Sequence, residues 1–179
     1  MRAAAVLCAA LAACSSTQPM SDWERNHPEQ LGTVQTERLP TPPALPRKEN
    51  LIEFYVSPVA TFRYFIDATS LSALYKQKEV RYVLVARSPS GAENVSFEAI
   101  RCPDMHRIYA VADDSGKWGT RPSDWQEIQR RTGLGVPGVL AREYFCPHRD
   151  PLQSAAEGVD ALRRGGHPLV YTDPRSLGR

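Results

Sequence analysis

The chain has 179 residues, 42% of them apolar and 23% charged, enough for one domain with a sizeable core plus a tether. Its 22 basic and 20 acidic side chains nearly cancel and form no long block of one sign, which excludes the basic stripe of a nucleic-acid binder. Four cysteines without a Cys-x-x-Cys leave a thioredoxin-like role without its motif.

Residues 1–13 read as an export signal. Arg2 precedes an apolar run from Ala3 to Ala13, and Leu11-Ala12-Ala13-Cys14 has the layout of a bacterial lipobox. Cleavage ahead of Cys14 and acylation of that cysteine are expected. One acyl chain holds a membrane only marginally, so stable anchoring needs more than one, and a lipoprotein cysteine carries three. Ser15 and Ser16 stand where inner-membrane retention in a Gram-negative cell uses Asp, which directs the chain to the outer membrane. The apolar run is shorter than the roughly twenty residues that cross a bilayer as a helix, and no later segment approaches that length. Removing the first 13 of 179 residues leaves 166, with Arg2 lost and the charge close to neutral.

Residues 14–50 form the expected lipidated tether. They are polar, carry Pro19, Pro28, Pro40, Pro42, Pro43 and Pro46, and lack the apolar surface to offset ordering entropy. Trp23 is the odd residue there, read as a solvated aromatic in a mobile arm, with docking on the domain or at the lipid interface as the alternatives.

The globular domain is expected over 51–172, with 173–179 as a flexible tail. Leu51–Ser57 and Phe62–Asp67 are short apolar runs bounded by Pro58 and by Asp67, Thr69 and Ser70, as strands are. Val80–Arg87 sets Val80, Tyr82, Leu84 and Ala86 on one face and Arg81, Val83, Val85 and Arg87 on the other, so its middle is apolar on both sides, as in an internal strand. Ser88-Pro89-Ser90-Gly91 turns the chain into Glu93–Cys102, where Val95, Phe97 and Ala99 share a face. Arg107–Ala112 is a fifth strand, followed by a turn at Asp113–Gly116 before Lys117 and Trp118.

After Trp118 the period changes. Ser123-Asp124-Trp125-Gln126 has the form of a capping box and predicts a helix carrying Trp125 and Ile128. Pro137 opens a second helical segment with Leu140 and Tyr144, which Pro147 ends. Ser154-Ala155-Ala156-Glu157 opens a third, with Ala155, Val159 and Leu162 inward, Arg163 and Arg164 in the last turn, and Gly165 as its cap. Leu169–Thr172 is a candidate edge strand. The fold class is α+β: an antiparallel meander of about five strands, then about three short helices, with one disulfide.

With Cys8 removed in the signal and Cys14 acylated, Cys102 and Cys146 remain. In an oxidising compartment a lone pair most simply bridges. Two alternatives stay open. Cys102, His106, Cys146 and His148 are the residue types of a tetrahedral zinc site, and a free thiol is a candidate redox or catalytic group. Gly133–Gly138 matches G-x-G-x-x-G but follows a predicted helix rather than a strand, so it reads as a connection and not a dinucleotide site. Asp113 and Asp114 lack the Glu that would complete a calcium loop. Glu93 and Glu98 differ by an odd number on one strand and so point to opposite faces. No G-x-S-x-G elbow occurs, and His27, His106, His148 and His167 fall in tether, turns or tail. No catalytic residue, cofactor site or metal site is assigned.

Val80–Cys102, with Val-Ala-Arg-Ser-Pro-Ser-Gly-Ala-Glu-Asn at its centre, resembles the core motif of the cryptic neisserial protein one family of proteobacterial envelope proteins. The resemblance takes in the Phe-Ile-Asp-Ala-Thr-Ser-Leu run ending at Leu71, Trp125, and Glu143-Tyr144-Phe145-Cys146-Pro147, so it spans roughly 54–164; Gly133–Gly138 departs from the family pattern. It implies an exported single domain with Cys102 and Cys146 as its pair, and no activity. A looser likeness, strands followed by paired cysteines, is to surface adhesin E-like lipoproteins and implies binding. The expected function is an outer-membrane lipoprotein, attached through Cys14, whose periplasmic domain is a non-enzymatic binding or assembly module for an unknown envelope protein or polymer. Tyr82, Tyr109 and Trp118 are candidates for its contact patch. The alternatives are a hydrolase acting on an envelope polymer and a surface-displayed adhesin.

Overall fold

A computed structural model of the chain describes residues 39–119, 122–129 and 135–171. Cys14, the signal, most of the tether, the end of the expected edge strand and the tail lie outside the described residues. Eight strands among those residues form one antiparallel sheet: β1 (Leu51–Phe54), β2 (Arg63–Asp67), β3 (Ser72–Leu74), β4 (Glu79–Arg87), β5 (Glu93–Arg101), β6 (Met105–Ala112), β7 (Trp118–Gly119) and β8 (Gln126–Glu127). Their order is β1-β2-β4-β5-β6-β7, with β3 also on β4 and β8 also on β6. The five strands read from the sequence are all present, and three short ones are added.

The β4–β5 hairpin is the spine of the sheet. Ser88 donates its N–H to Ala92 and accepts from the Gly91 N–H, and Gly91 takes φ 89°, a left-handed conformation that costs a glycine little. From that turn the register runs from Arg87 opposite Glu93 to Glu79 opposite Arg101. The other edge of β4 is shared: β2 pairs with residues from Leu84 to Arg87, and β3 with residues from Glu79 to Arg81. In the gap between them the Val83 N–H donates to Ser70 Oγ at 2.8 Å. Asp67 builds the turn that delivers this hydroxyl, its carboxylate accepting from the Thr69 N–H and hydroxyl while its carbonyl accepts from Ser70 Oγ. The Asp-Ala-Thr-Ser stretch is thus a plug for one backbone donor that the ladder leaves unpaired.

Helices cover one face. Helix α1 (Val136–Val139) begins with Pro137 in its first turn and runs into a π-helical turn over Leu140–Phe145. Helix α2 (Ala155–Arg164) starts as its capping box predicts, with Ser154 Oγ accepting from the Glu157 N–H at 3.2 Å, and ends at Gly165 with φ 76°. The Glu157 carboxylate reaches back one residue further than usual, to the Gln153 N–H. The inward stripe is Gly158, Ala161 and Leu162, with Ala155 and Val159 half-buried at its margins. Phe54, Ile66, Leu84 and Ile100 of the sheet pack on Leu140, Tyr144, Phe145 and Leu152. The Cys102–Cys146 disulfide joins the end of β5 to the end of the π-helical turn, with the two Cα atoms 5.6 Å apart. No helix among the described residues is long and apolar enough to cross a membrane.

The opposite face has a smaller core of Val83, Phe97, Ala99, Tyr109 and Ala110, with Trp118 and Trp125 at its margin. Guanidinium groups roof it. Arg101 lies 4.0 Å from the Trp125 ring centre, Arg107 5.2 Å from that of Tyr109, and Arg87 4.5 Å from that of Phe65. Flat, weakly hydrated guanidinium planes shield rings where no helix layer exists.

Two expectations fail. The segment around Trp125 is not helical: it runs extended along β6, with Ser123 N–H donating to Ile108 O and Ile128 N–H to Asp104 O. Ser123 Oγ accepts from the Ile108 N–H instead of capping a helix. Strand pairing, together with the Trp125 ring packed edge-on against Tyr109, overrides the local pattern. Near the C-terminus, Pro168–Tyr171 is a helical turn, α3, rather than an edge strand. Pro168 has no N–H for a ladder and suits a first helical position, where none is needed.

Candidate functional site

The sheet holds two buried carboxylates, one on each face. Glu98 points to the helical side. The hairpin register sets it directly opposite Tyr82, and His106 lies diagonally across on β6. Its Oε2 accepts from Tyr82 Oη at 3.2 Å and faces His106 Nε2 at 2.9 Å, while Oε1 accepts from Ser96 Oγ at 2.5 Å. Glu98 is only 5% exposed and Tyr82 fully buried, so the three donors stand in for water around the charge. Burial, then the Glu98 charge and its hydrogen bond, raise the Tyr82 hydroxyl well above its ordinary pKa, so it remains a donor. A β-bulge between Phe97 and Glu98 in the pairing with β6 inserts Tyr109, which sends that ring to the other face and leaves His106 on this one.

His106 reaches the surface in a cleft of about 620 Å³. Ser57 and Val59 of the β1–β2 loop form one wall, Gly135, Pro137 and Gly138 at the start of α1 another, and Gln126–Gln129 along β8 the rest. The loop exposes Val59, which is 87% exposed in the cleft wall. With a carboxylate accepting at Nε2, a neutral His106 ring carries its proton there and presents Nδ1 as an acceptor. This wall offers a fixed imidazole, carboxamides, one carboxylate at Glu127 and apolar loop surface.

Glu79 is the second carboxylate, 1% exposed on the arginine-roofed face. Tyr109 Oη donates to its Oε1 at 2.9 Å, Arg81 Nε at 2.5 Å, and Arg101 Nη2 to its Oε2 at 3.3 Å. Two of the candidate contact aromatics, Tyr82 and Tyr109, are therefore buried partners of carboxylates, while Trp118 is half-buried at the edge of the sheet.

Of the sequence-derived sites, Cys102 and Cys146 are brought together and bonded. That bond consumes the thiolates of the zinc alternative, and its histidines are elsewhere: His106 on Glu98, His148 exposed beyond the bridge. His167, read as a tail residue, is buried. Its Nδ1 accepts from the Leu169 N–H at 3.2 Å, so Nε2 donates to Glu157 Oε1 at 2.9 Å and ties the end of α2 to its start. The Glu98 and Glu79 networks were missed, although the signal existed: a hairpin closed at Arg87 and Glu93 puts Tyr82 opposite Glu98 and Glu79 opposite Arg101.

The model of the CNP1-like family matches residues 33–163. The chain belongs to the CNP1-like family. In this CNP1-like protein the matched span begins ahead of the proline-rich stretch at 40–46 and includes both carboxylate networks, the cleft and the bridged cysteines. The resemblance carried by Val80–Cys102 is thereby confirmed, and extends further toward the N-terminus than its motifs. No curated protein and no solved structure matches the chain.

Proposed function

We propose that this CNP1-like chain is an outer-membrane lipoprotein, attached through Cys14, whose periplasmic domain is a non-enzymatic binding or assembly module using the cleft above His106 as its contact site. The observation that carries this reading is Val59 of the β1–β2 loop, 87% exposed in the wall of a cleft whose imidazole is held by Glu98. Exposed apolar groups clustered at a concave polar site mark contact surfaces. Such a surface suits a segment of an envelope protein or polymer that offers a donor to His106 Nδ1.

Site-specific photocrosslinking in cells tests this. Probes at Val59 and Gln129 should give one shared adduct, and a probe at Arg164 on the outer side of α2 should not. Equal labelling from all three positions would refute the cleft as the contact site.

A second reading, hydrolysis of an envelope polymer, draws on Ser57 and His106 lining the same cleft with Glu98 behind the imidazole. It requires Ser57 to come within hydrogen-bond reach of His106. Under that reading Ser57→Ala and His106→Ala each abolish turnover of the polymer, whereas under the binding reading Ser57→Ala leaves the crosslink intact.

A further inference from the structure

The residues just ahead of the sheet run Leu39-Pro40-Thr41-Pro42-Pro43-Ala44-Leu45-Pro46-Arg47, and they have neither helix nor strand. Proline fixes φ near that of polyproline II and holds the preceding residue extended, so four prolines in seven residues favour that left-handed, three-residue helix. Pro40, Pro43 and Pro46 are spaced by three and fall on one face of it. All four prolines, Pro40, Pro42, Pro43 and Pro46, are half-buried, while Leu39, Thr41, Ala44, Leu45 and Arg47 are exposed. The segment is therefore seated on the domain by its prolines.

The seat is built at β7. Trp118 Nε1 donates to the Pro43 carbonyl at 2.8 Å, across 75 positions of sequence. Beside it, Gly116 at φ 74° turns the chain where a Cβ would stand 3.2 Å from Leu45 Cδ1, so the turn's lack of a side chain makes room for the segment. An indole that offers its N–H to a carbonyl of a proline-rich strand is the chemistry by which aromatic grooves read polyproline II ligands.

We propose that Trp118 and the Gly116 turn form a polyproline II recognition site, held in the free protein by the chain's own residues 39–46 and able to exchange them for a proline-rich segment of a partner protein. The polyproline II helix pays little ordering entropy on docking and leaves its carbonyls open to donors. The built-in strap acts as a competitor at an effective concentration in the millimolar range, so a foreign segment binds well only where it is locally concentrated or the strap is pulled away. This inference is independent of the cleft.

The test uses the full-length chain, the variant Pro40→Gly/Pro43→Gly/Pro46→Gly, and a synthetic peptide Leu-Pro-Thr-Pro-Pro-Ala-Leu-Pro. The Trp118 indole N–H resonance, identified by its loss in Trp118→Phe, should shift in the triple variant and return toward its wild-type position as peptide is added. Peptide should bind the variant about tenfold more tightly than the wild type, whose strap competes. An indole resonance that the triple substitution does not move, or that peptide does not restore in a variant with a dispersed spectrum, overturns the proposal. So does a wild-type dimer in sedimentation with straps exchanged between copies. If the triple variant does not fold, tryptic cleavage at Arg47 decides: Trp118→Phe or excess peptide should each accelerate it severalfold in the otherwise native chain, and an unchanged rate overturns the proposal.

Discussion

Replacing Glu98 by Ala removes one acceptor from three donors at once. Tyr82 Oη is fully buried and has Glu98 as its partner, so it is left without an acceptor in the core. A buried hydroxyl left unpaired costs about 1–3 kcal/mol. His106 and Ser96 lose less, because water in the cleft reaches the ring and Ser96 is only half-buried. Loss of the γ-methylene adds about 0.8 kcal/mol, which brings Glu98→Ala to about 2–4 kcal/mol, overlapping the range for removing one partner of a buried charged network. Glu98→Gln should cost less, about 1–2 kcal/mol, because the amide oxygen still accepts and either hydroxyl can turn to accept from the amide N–H. Equilibrium urea unfolding at neutral pH, followed by far-UV circular dichroism, measures both, with an unchanged slope certifying that native and unfolded states are otherwise alike. A Glu98→Ala protein within 1 kcal/mol of wild type, or a Glu98→Gln protein as unstable as Glu98→Ala, would refute the network as drawn.

Reducing the disulfide reopens a loop with ends 44 positions apart, and chain entropy puts the loss at about 4 kcal/mol; urea unfolding with and without reductant should show it. Tyr82 keeps its proton in the folded state above the ordinary phenol range, so the native chain binds one proton more than the unfolded chain there, and stability should fall as pH rises past about 10. Alkaline absorbance titrations of the wild type and of Tyr82→Phe should differ by one tyrosine that ionises only on unfolding. Ser154→Ala strips the Glu157 N–H of its cap and should cost about 1 kcal/mol in the same unfolding assay. His167→Ala removes the ring that accepts from the Leu169 N–H and donates to Glu157; faster amide exchange over residues 169–171 should report it, and unchanged exchange would refute the bond.

The five long strands were legible because their apolar alternation and the Ser-Pro-Ser-Gly turn agree with the register the sheet adopts. Helix α2 was legible because its signals are local: a serine cap, two basic residues in the last turn and a terminal glycine. The Trp125 segment was misread because a capping box records only which side chains can satisfy free N–H groups, and here β6 supplies partners to both backbone and hydroxyl. In the sequence His106 reads as a turn residue and as a candidate zinc ligand beside Cys102. Its partner Glu98 sits eight positions away and meets it only because β5 and β6 pair, with a bulge that no pattern announced. The proline-rich stretch looked like plain tether, since its docking depends on one indole 75 residues downstream, although prolines at 40, 43 and 46 already carried the three-residue period.

The proposal that an anchored, oxidised domain works in the envelope meets its most direct test in the intact mass of the chain purified from membranes, after thiol alkylation without reductant. A mature terminus at triacylated Cys14 with no alkylated thiol is the expected result. An unlipidated chain carrying alkylated Cys102 and Cys146 would contradict both the anchor and the bridge.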